Sequence, residues 1–214
     1  MKPKLRTIFL VLSIIGANCI LSAQTFQWIQ HTPGMAFDVG SSLSKDNQDN
    51  FYVAGAFTGT STFSSFILTS SGFSDAFYVK YDATGKALWA KKGGPIDPVT
   101  AIAVDADGNS YVCGTFHGTT SFGTTTLTSS GSGDVYLVKL DSAGNFVWAQ
   151  RGGGPSSEDC SAVALDHNGN AYLTGSFSGT AGFGSHTLVS QRHLCGQILS
   201  CGNSYMGARI WRSE

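Results

Sequence analysis

Asp105-Ala106-Asp107-Gly108-Asn109-Ser110-Tyr111-Val112-Cys113-Gly114-Thr115-Phe116-His117-Gly118-Thr119 decides the fold, because the stretch recurs on both sides of itself. Upstream it reads Asp46-Asn47-Gln48-Asp49-Asn50-Phe51-Tyr52-Val53-Ala54-Gly55-Ala56-Phe57-Thr58-Gly59-Thr60. Downstream it reads Asp166-His167-Asn168-Gly169-Asn170-Ala171-Tyr172-Leu173-Thr174-Gly175-Ser176-Phe177-Ser178-Gly179-Thr180. The tyrosines are 59 and 61 residues apart (111 − 52 and 172 − 111). A fixed period of this length is the mark of a repeat architecture.

The rest of the unit repeats as well. Asp75-Ala76-Phe77-Tyr78-Val79-Lys80-Tyr81-Asp82 matches Asp134-Val135-Tyr136-Leu137-Val138-Lys139-Leu140-Asp141. Gly85 with Trp89-Ala90 matches Gly144 with Trp148-Ala149, and Gly93-Gly94 matches Gly152-Gly153. Between the halves, Phe63 and Leu68 match Phe122 and Leu127, and Phe183 and Leu188.

Each unit reads as short strands between turns. In the second unit the strands fall at Thr100–Val104, Ser110–Phe116, Thr124–Thr128, Asp134–Leu140 and Phe146–Gln150. The D-x-D-G-N and D-x-x-G elements are turn chemistry: Gly and Asn accept positive φ, and Asp bonds to its own backbone. Tyr136, Val138 and Leu140 lie on one strand face, and Val135 and Leu137 on the other. A strand apolar on both faces is covered on both sides, which stacked blades provide. The fold expected is all-β: a partial β-propeller of antiparallel blades, each of about 60 residues and four to five strands.

These motifs resemble the bacterial β-propeller repeat (SBBP) family, found in secreted proteins of Bacteroidetes-like organisms. The residues that carry the resemblance are D-x-x-G-N-x-Y-V-x-G-x-F-x-G, then S-G-x-x-D-x-(F/Y)-x-V-K-(Y/L)-D, then G-x-x-x-W-A. They cover nearly all of residues 26–190. The resemblance implies four-stranded blades around an axis and no enzymatic activity or cofactor.

The expected organisation has four parts. Residues 1–23 read as a signal peptide: Lys2, Lys4 and Arg6 precede the apolar run Phe9–Ile15, and Leu21-Ser22-Ala23 suits cleavage before Gln24. A lipoprotein reading at Cys19 competes, although Asn18 fits a lipobox poorly. Residues 24–190 carry the repeats: an orphan closing strand at 26–30, blade one at 38–94, blade two at 97–153 and part of blade three at 158–190. Trp28 stands 61 residues before Trp89 (89 − 28), so Phe26-Gln27-Trp28-Ile29-Gln30 matches the last strand of a unit. Residues 191–214 form an atypical tail.

That tail has a reading in the genetic code. In a frame moved forward by one nucleotide, Gln197-Ile198 yields Lys or Arg, Met206-Gly207 yields Trp, Trp211-Arg212 yields Gly, and Arg192-His193 permits Asp. The offsets equal those of Asp75, Lys80, Trp89 and Gly94, and of Asp134, Lys139, Trp148 and Gly153. The expectation is an out-of-frame remainder of blade three, in a chain that is the front of a longer propeller protein. A genuine divergent tail is the rival. A partial ring exposes an apolar blade face, which favours self-association.

Composition narrows the partners. The chain has formal charge −1, and without the leader's three cations −4 (−1 − 3). That argues against nucleic acid and anionic membrane surfaces. No segment after the leader is long and apolar enough to span a membrane. An unidentified protein or glycan remains the partner class.

Candidate sites are few. Trp28, Trp89 and Trp148 read as sugar-stacking rings or as blade-to-blade packing. Asp105, Asp107 and Asn109 read as a calcium loop or as a β-turn; the glycine comes too early for an EF-hand, and no bidentate Glu follows. Asp38, Asp97 and Glu158 recur eight residues before the turn aspartates, which suits a structural role. No His or Cys set has metal-ligand spacing, and no nucleophile elbow is present. Cys113 aligns with Ala54 and Thr174, and Cys160 with Val39 and Val99, all small or apolar slots; a cross-blade disulfide between the two cysteines stays open. The expected function is a secreted or cell-surface, non-catalytic interaction scaffold. The alternative is a propeller lectin assembled by oligomerisation.

Overall fold

The computed structural model describes residues 37–96 and 99–189, and the backbone alone of 194–195, 197–202 and 205–210. Readings that fall on 1–36, on Asp97 or on the tail's side chains, including the leader, the 26–30 strand and Trp28, lie outside the described residues. Among these, every regular element is a β-strand. The architecture is all-β, with antiparallel sheets that repeat along the chain.

The first sheet contains β1 (Asp38–Lys45), β2 (Phe51–Phe57), β5 (Asp75–Tyr81) and β6 (Ala87–Pro95), in that order. Between β2 and β5, the chain makes a small hairpin of β3 (Thr60–Phe63) and β4 (Phe66–Thr69). The second unit repeats this with β7 (Val99–Val104), β8 (Ser110–Phe116), β11 (Asp134–Leu140) and β12 (Phe146–Gly153), plus a hairpin of β9 (Thr119–Phe122) and β10 (Thr125–Thr128). The third has β13 (Glu158–Leu165), β14 (Ala171–Phe177) and a hairpin of β15 (Thr180–Phe183) and β16 (His186–Val189). Past Val189, β17 (Leu194–Cys195) and β18 (Gln197–Gly202) pair with β14, and β19 (Tyr205–Ile210) pairs with β18. The tail backbone therefore occupies the third and fourth strand positions of the sheet, although its sequence lacks the repeat. A ladder is made by peptide groups, so it needs no particular side chains.

Two local devices recur. Each first strand carries a bulge, between Gly40 and Ser42, Val99 and Ala101, and Cys160 and Ala162. The bulge pushes a carbonyl toward the next strand. A Cβ at Gly55 would lie 1.9 Å from the Val39 carbonyl oxygen, and one at Gly175 would lie 2.0 Å from that of Asp159. This is why the motif carries glycine there.

The hairpins are the second device, and they explain how blades stack. The second and third each fill the gap between their own blade and the preceding one. Phe122 and Leu127 pack in a core formed with Tyr52, Tyr78, Trp89, Val112, Tyr136 and Val138. Phe183 and Leu188 pack with Tyr111, Cys113, Leu137 and Leu173. The backbone touches too: Gly152 and Gly153 of β12 pair with Phe183 and Gly182 of β15. A Cβ at Gly94 would fall 2.6 Å from the Ser121 nitrogen. Phe63, Phe66 and Leu68 cover the opposite face of blade one, against Phe57, Phe77 and Val79. All seven residues of β5 are buried, so the two-faced apolar strand has its neighbours.

Candidate interaction clefts between the blades

Blade stacking leaves a cleft at each end of the strands. At the turn end it lies between blades two and three, lined by Asp105, Asp107, Tyr111, Lys139, Asp166 and His167 among others. At the opposite end it lies between blades one and two, lined by Phe37, Thr58, Phe73, Ser74, Pro95, Ile96 and His117.

The turn-end cleft is built from the D-x-x-G-N motif. Asp105 Oδ1 accepts the backbone N–H groups of Asp107 (3.0 Å) and Asn109 (2.8 Å). Its Oδ2 accepts the Asn109 amide (2.8 Å) and the Tyr111 hydroxyl (3.4 Å). Asp46 makes the same set with Gln48, Asn50 and Tyr52, and Asp166 with Asn168, Asn170 and Tyr172. The Asn170 side chain and backbone, with Tyr172 and Asn168, hold the Asp166 carboxyl down at about 2. At Asp46, burial alone pushes the carboxyl up, but its hydrogen bonds from Asn50 and Gln48 outweigh burial and leave it below the ordinary range.

The calcium candidates are thus placed as follows. The Asp105 carboxylate is occupied by its own turn, Asn109 donates to it, and Asp107 is exposed at the cleft. No group of three or more His, Cys, Asp or Glu side chains suited to a metal ion occurs among the described residues.

The blades are also locked together at this end. The Tyr52 hydroxyl donates to the Gly108 carbonyl of the next blade at 3.0 Å. Lys80 sits 4.8 Å over the Tyr52 ring and 3.5 Å from Asp46, and Lys139 sits 4.8 Å over the Tyr111 ring. Trp89 is 8% exposed. Its indole N–H donates to the Ser142 carbonyl of blade two at 3.0 Å, and Tyr52 meets the ring edge-on at 6.0 Å. Gly144 (φ +81°) is so close that a Cβ there would lie 2.7 Å from the indole Cδ2. Trp148 is half-buried and meets Tyr111 at 6.0 Å in the same edge-on way. Both described tryptophans are therefore packing residues of the inner interfaces.

The opposite end is held by buried carboxylates. Asp75 accepts the Ser71 N–H and hydroxyl (2.7 and 2.8 Å) and pairs with Lys92 (3.2 Å). Asp134 accepts the Ser130 N–H (3.0 Å) and pairs with Arg151 (3.1 Å). Asp38, only half-buried, accepts the Ser61 hydroxyl at 2.8 Å. Glu158 is fully buried, accepts the Gly154 N–H at 2.8 Å, and is pushed above the usual range by burial. Beside these fixed groups Phe37 and Phe73 stand 72% and 94% exposed. The repeat does not mark them, because neither phenylalanine recurs in the other units. Their lack of an internal counterpart was the only available signal.

No family model matches the chain. Two curated relatives are similar over 49% of it. One is a WD repeat-containing protein of Acanthamoeba polyphaga mimivirus, 28% identical over 132 residues. The other is the regulatory protein FlaEY of Caulobacter vibrioides, 30% identical over 110 residues. The matched stretch spans only 10% of the first and 12% of the second. With the sheets described above, the first likeness places the architecture. The chain is a β-propeller-like repeat protein. Among the described residues, no helix is long and apolar enough to cross a membrane.

Proposed function

We propose that this propeller-repeat protein is a secreted or cell-surface interaction scaffold of the SBBP type, without catalysis, whose working surface is the turn end of the blades. One observation carries the reading. The positions that repeat in each turn, Asp105 and Asn109 or Asp166 and Asn170, are consumed by the turn's own hydrogen bonds. The positions that vary, such as Asp107, His167 and Asn168, line the open cleft. A rigid frame presenting changeable side chains is how loops on a scaffold carry recognition. The partner is a protein with polar surface groups, met by Asp107, Lys139 and His167. Residues 1–23 act as the leader, with cleavage before Gln24.

The lectin alternative has support at the other cleft. The open rings of Phe37 and Phe73 beside Thr58, Ser74 and His117 suit the apolar face of a sugar. In that reading, oligomerisation supplies the remaining blades, since propellers close with about four to eight.

The test starts with fractionation of cells producing the full chain, with sequencing of the mature N-terminus. Gln24 in the medium or at the surface is expected; an intact Met1 inside the cell ends the secretion reading. A glycan array with a mass measurement in solution then separates the two functions. Glycan binding by a closed oligomer, lost in Phe73→Ala, favours the lectin. A partner cross-linked at the surface and lost in Asp107→Ala/His167→Ala favours the scaffold.

A further inference from the structure

Between blades two and three, the two thiols of Cys113 and Cys160 meet in the core. Cys113 lies on β8, paired with Ala101 on one side and Leu137 on the other. Cys160 lies on β13, at the bulge before Ala162. Both are free thiols here, 0% and 6% exposed. The two sulfurs lie 2.6 Å apart, closer than unbonded thiols sit and about half an ångström beyond a disulfide bond of ~2.05 Å. Val135, Leu137, Leu173 and Phe183 surround the pair.

We infer that Cys113 and Cys160 form an inter-blade disulfide that staples blade three to blade two when the chain folds in an oxidising compartment. The reaction is exchange with a disulfide donor, a small-molecule disulfide such as oxidised glutathione or a protein oxidoreductase. Two Cys S–H bonds and the donor's S–S bond break. The Cys113–Cys160 S–S bond and two donor S–H bonds form, and two electrons pass from the cysteine pair to the donor. Such exchange needs a thiolate. In the closed interface the close contact with Cys160, and then burial, push the Cys113 thiol above its ordinary range. The bond therefore forms while the blades are still apart, and once they dock it resists solvent reductants.

The inference rests on the export reading, because disulfides persist in oxidising compartments. The bridge closes a loop of 47 residues (160 − 113), for which chain entropy predicts on the order of a thousand-fold gain in the folded-to-unfolded ratio.

The test is a tryptic map of the exported full chain, alkylated in denaturant without reductant. Cys113 and Cys160 fall in separate peptides, Gly93–Lys139 and Gly152–Arg192, while His193–Arg209 holds both Cys195 and Cys201. A cross-link between the first two peptides, two hydrogens lighter than the reduced pair, is expected. Reductant should dissolve that link at a measurable rate only after denaturant opens the interface. Alkylation of both Cys113 and Cys160, or linkage of either to Cys195 or Cys201, overturns the inference. The same map on purified reduced chain, refolded with oxidised glutathione, separates the two readings. A Cys113–Cys160 link there, in a chain that stays inside its cell, upholds the pairing and removes the export reading. No link in either sample removes the pairing and leaves the scaffold reading standing.

Discussion

The interface between blades one and two and the interface between blades two and three share one backbone frame but fill it differently. In the first, Ala54 pairs across the strands with Tyr78, and Val99 comes from the next blade. In the second, the same three slots hold Cys113, Leu137 and Cys160. A large ring beside a small methyl is replaced by a medium chain beside a thiol. Cores accept such swaps when total volume is kept. The repeat therefore fixes turns and ladders in every blade, while the interface centre is free to change its chemistry as long as it stays filled.

The largest effect should come from emptying these centres. Tyr136 is fully buried and touches Phe116 and Phe122 at ring distances of 6.4 and 5.0 Å. Tyr136→Ala is expected to cost about 4 kcal/mol, and Leu137→Ala, on the opposite face of the same strand, about 3 kcal/mol. Denaturant unfolding of both variants checks this. Equal losses would mean that ring area adds nothing, and that the two interfaces differ in name alone.

Next comes the contact that the first interface makes through a turn. Gly144 has φ +81° and lies against the Trp89 indole. Gly144→Ala carries left-handed strain of about 1–2 kcal/mol as well as a ring clash. Gly108 adopts φ +79° in another turn, and the nearest atom to a Cβ there is the Tyr52 hydroxyl at 3.0 Å. Gly144→Ala is expected to destabilise more than Gly108→Ala, with a red-shifted and weakened Trp89 emission reporting the opened interface.

Not all of this was legible beforehand. The turn aspartates were, because most of the bonds of Asp46, Asp105 and Asp166 fall within four residues of themselves. The two-faced apolar strands also announced a sheet covered on both sides. The hairpins are only half visible: Phe122 and Leu127 recur, but the strands expected from the sequence do not include β9, and nothing local says that it reaches back to the preceding blade. Trp89 was legible as a repeat but not as a partner of Ser142, 53 residues further on. The aromatic cleft at Phe37 and Phe73 has no repeat at all. Local bonding survives in one sequence, whereas contacts between units depend on a stacking geometry that no single unit encodes.

Acidity should separate blade three from itself. Asp166, held at about 2, contributes stability that is complete above the ordinary carboxylate range, near pH 4, and lost as pH falls toward 2. Glu158 runs the other way. Its folded value is raised, so its contribution is complete below the ordinary value of 4.5 and is lost as pH rises through the folded value. Glu158→Gln is therefore expected to stabilise the protein at pH 7 and to leave it unchanged near pH 4, as thermal unfolding at the two pH values would read. Asp166→Asn should instead remove part of the loss between pH 4 and pH 2.

The smallest effect has the opposite sign and returns to the first interface. The Tyr78 and Tyr136 hydroxyls meet there, both fully enclosed, and burial pushes both phenols upward. They lie close enough for a contact between the hydroxyls to bear on each other's ionisation, yet neither oxygen has a hydrogen-bond partner of good geometry. A buried hydroxyl without a partner costs roughly 1–3 kcal/mol. Removing both at once removes that cost and leaves the rings in place. Tyr78→Phe/Tyr136→Phe is thus expected to stabilise the chain by about 1 kcal/mol, with either single change giving less. If the pair hides a strong mutual bond, the double variant will be less stable than the parent and the coupling in the mutant cycle will exceed about 1 kcal/mol. The second interface offers the matched control. Leu137 holds the slot of Tyr78 there, with no hydroxyl to remove, so Leu137→Met should leave stability within about 1.5 kcal/mol of the parent. A gain confined to the first interface would show that its phenols are a tolerated burden of filling the slot with rings.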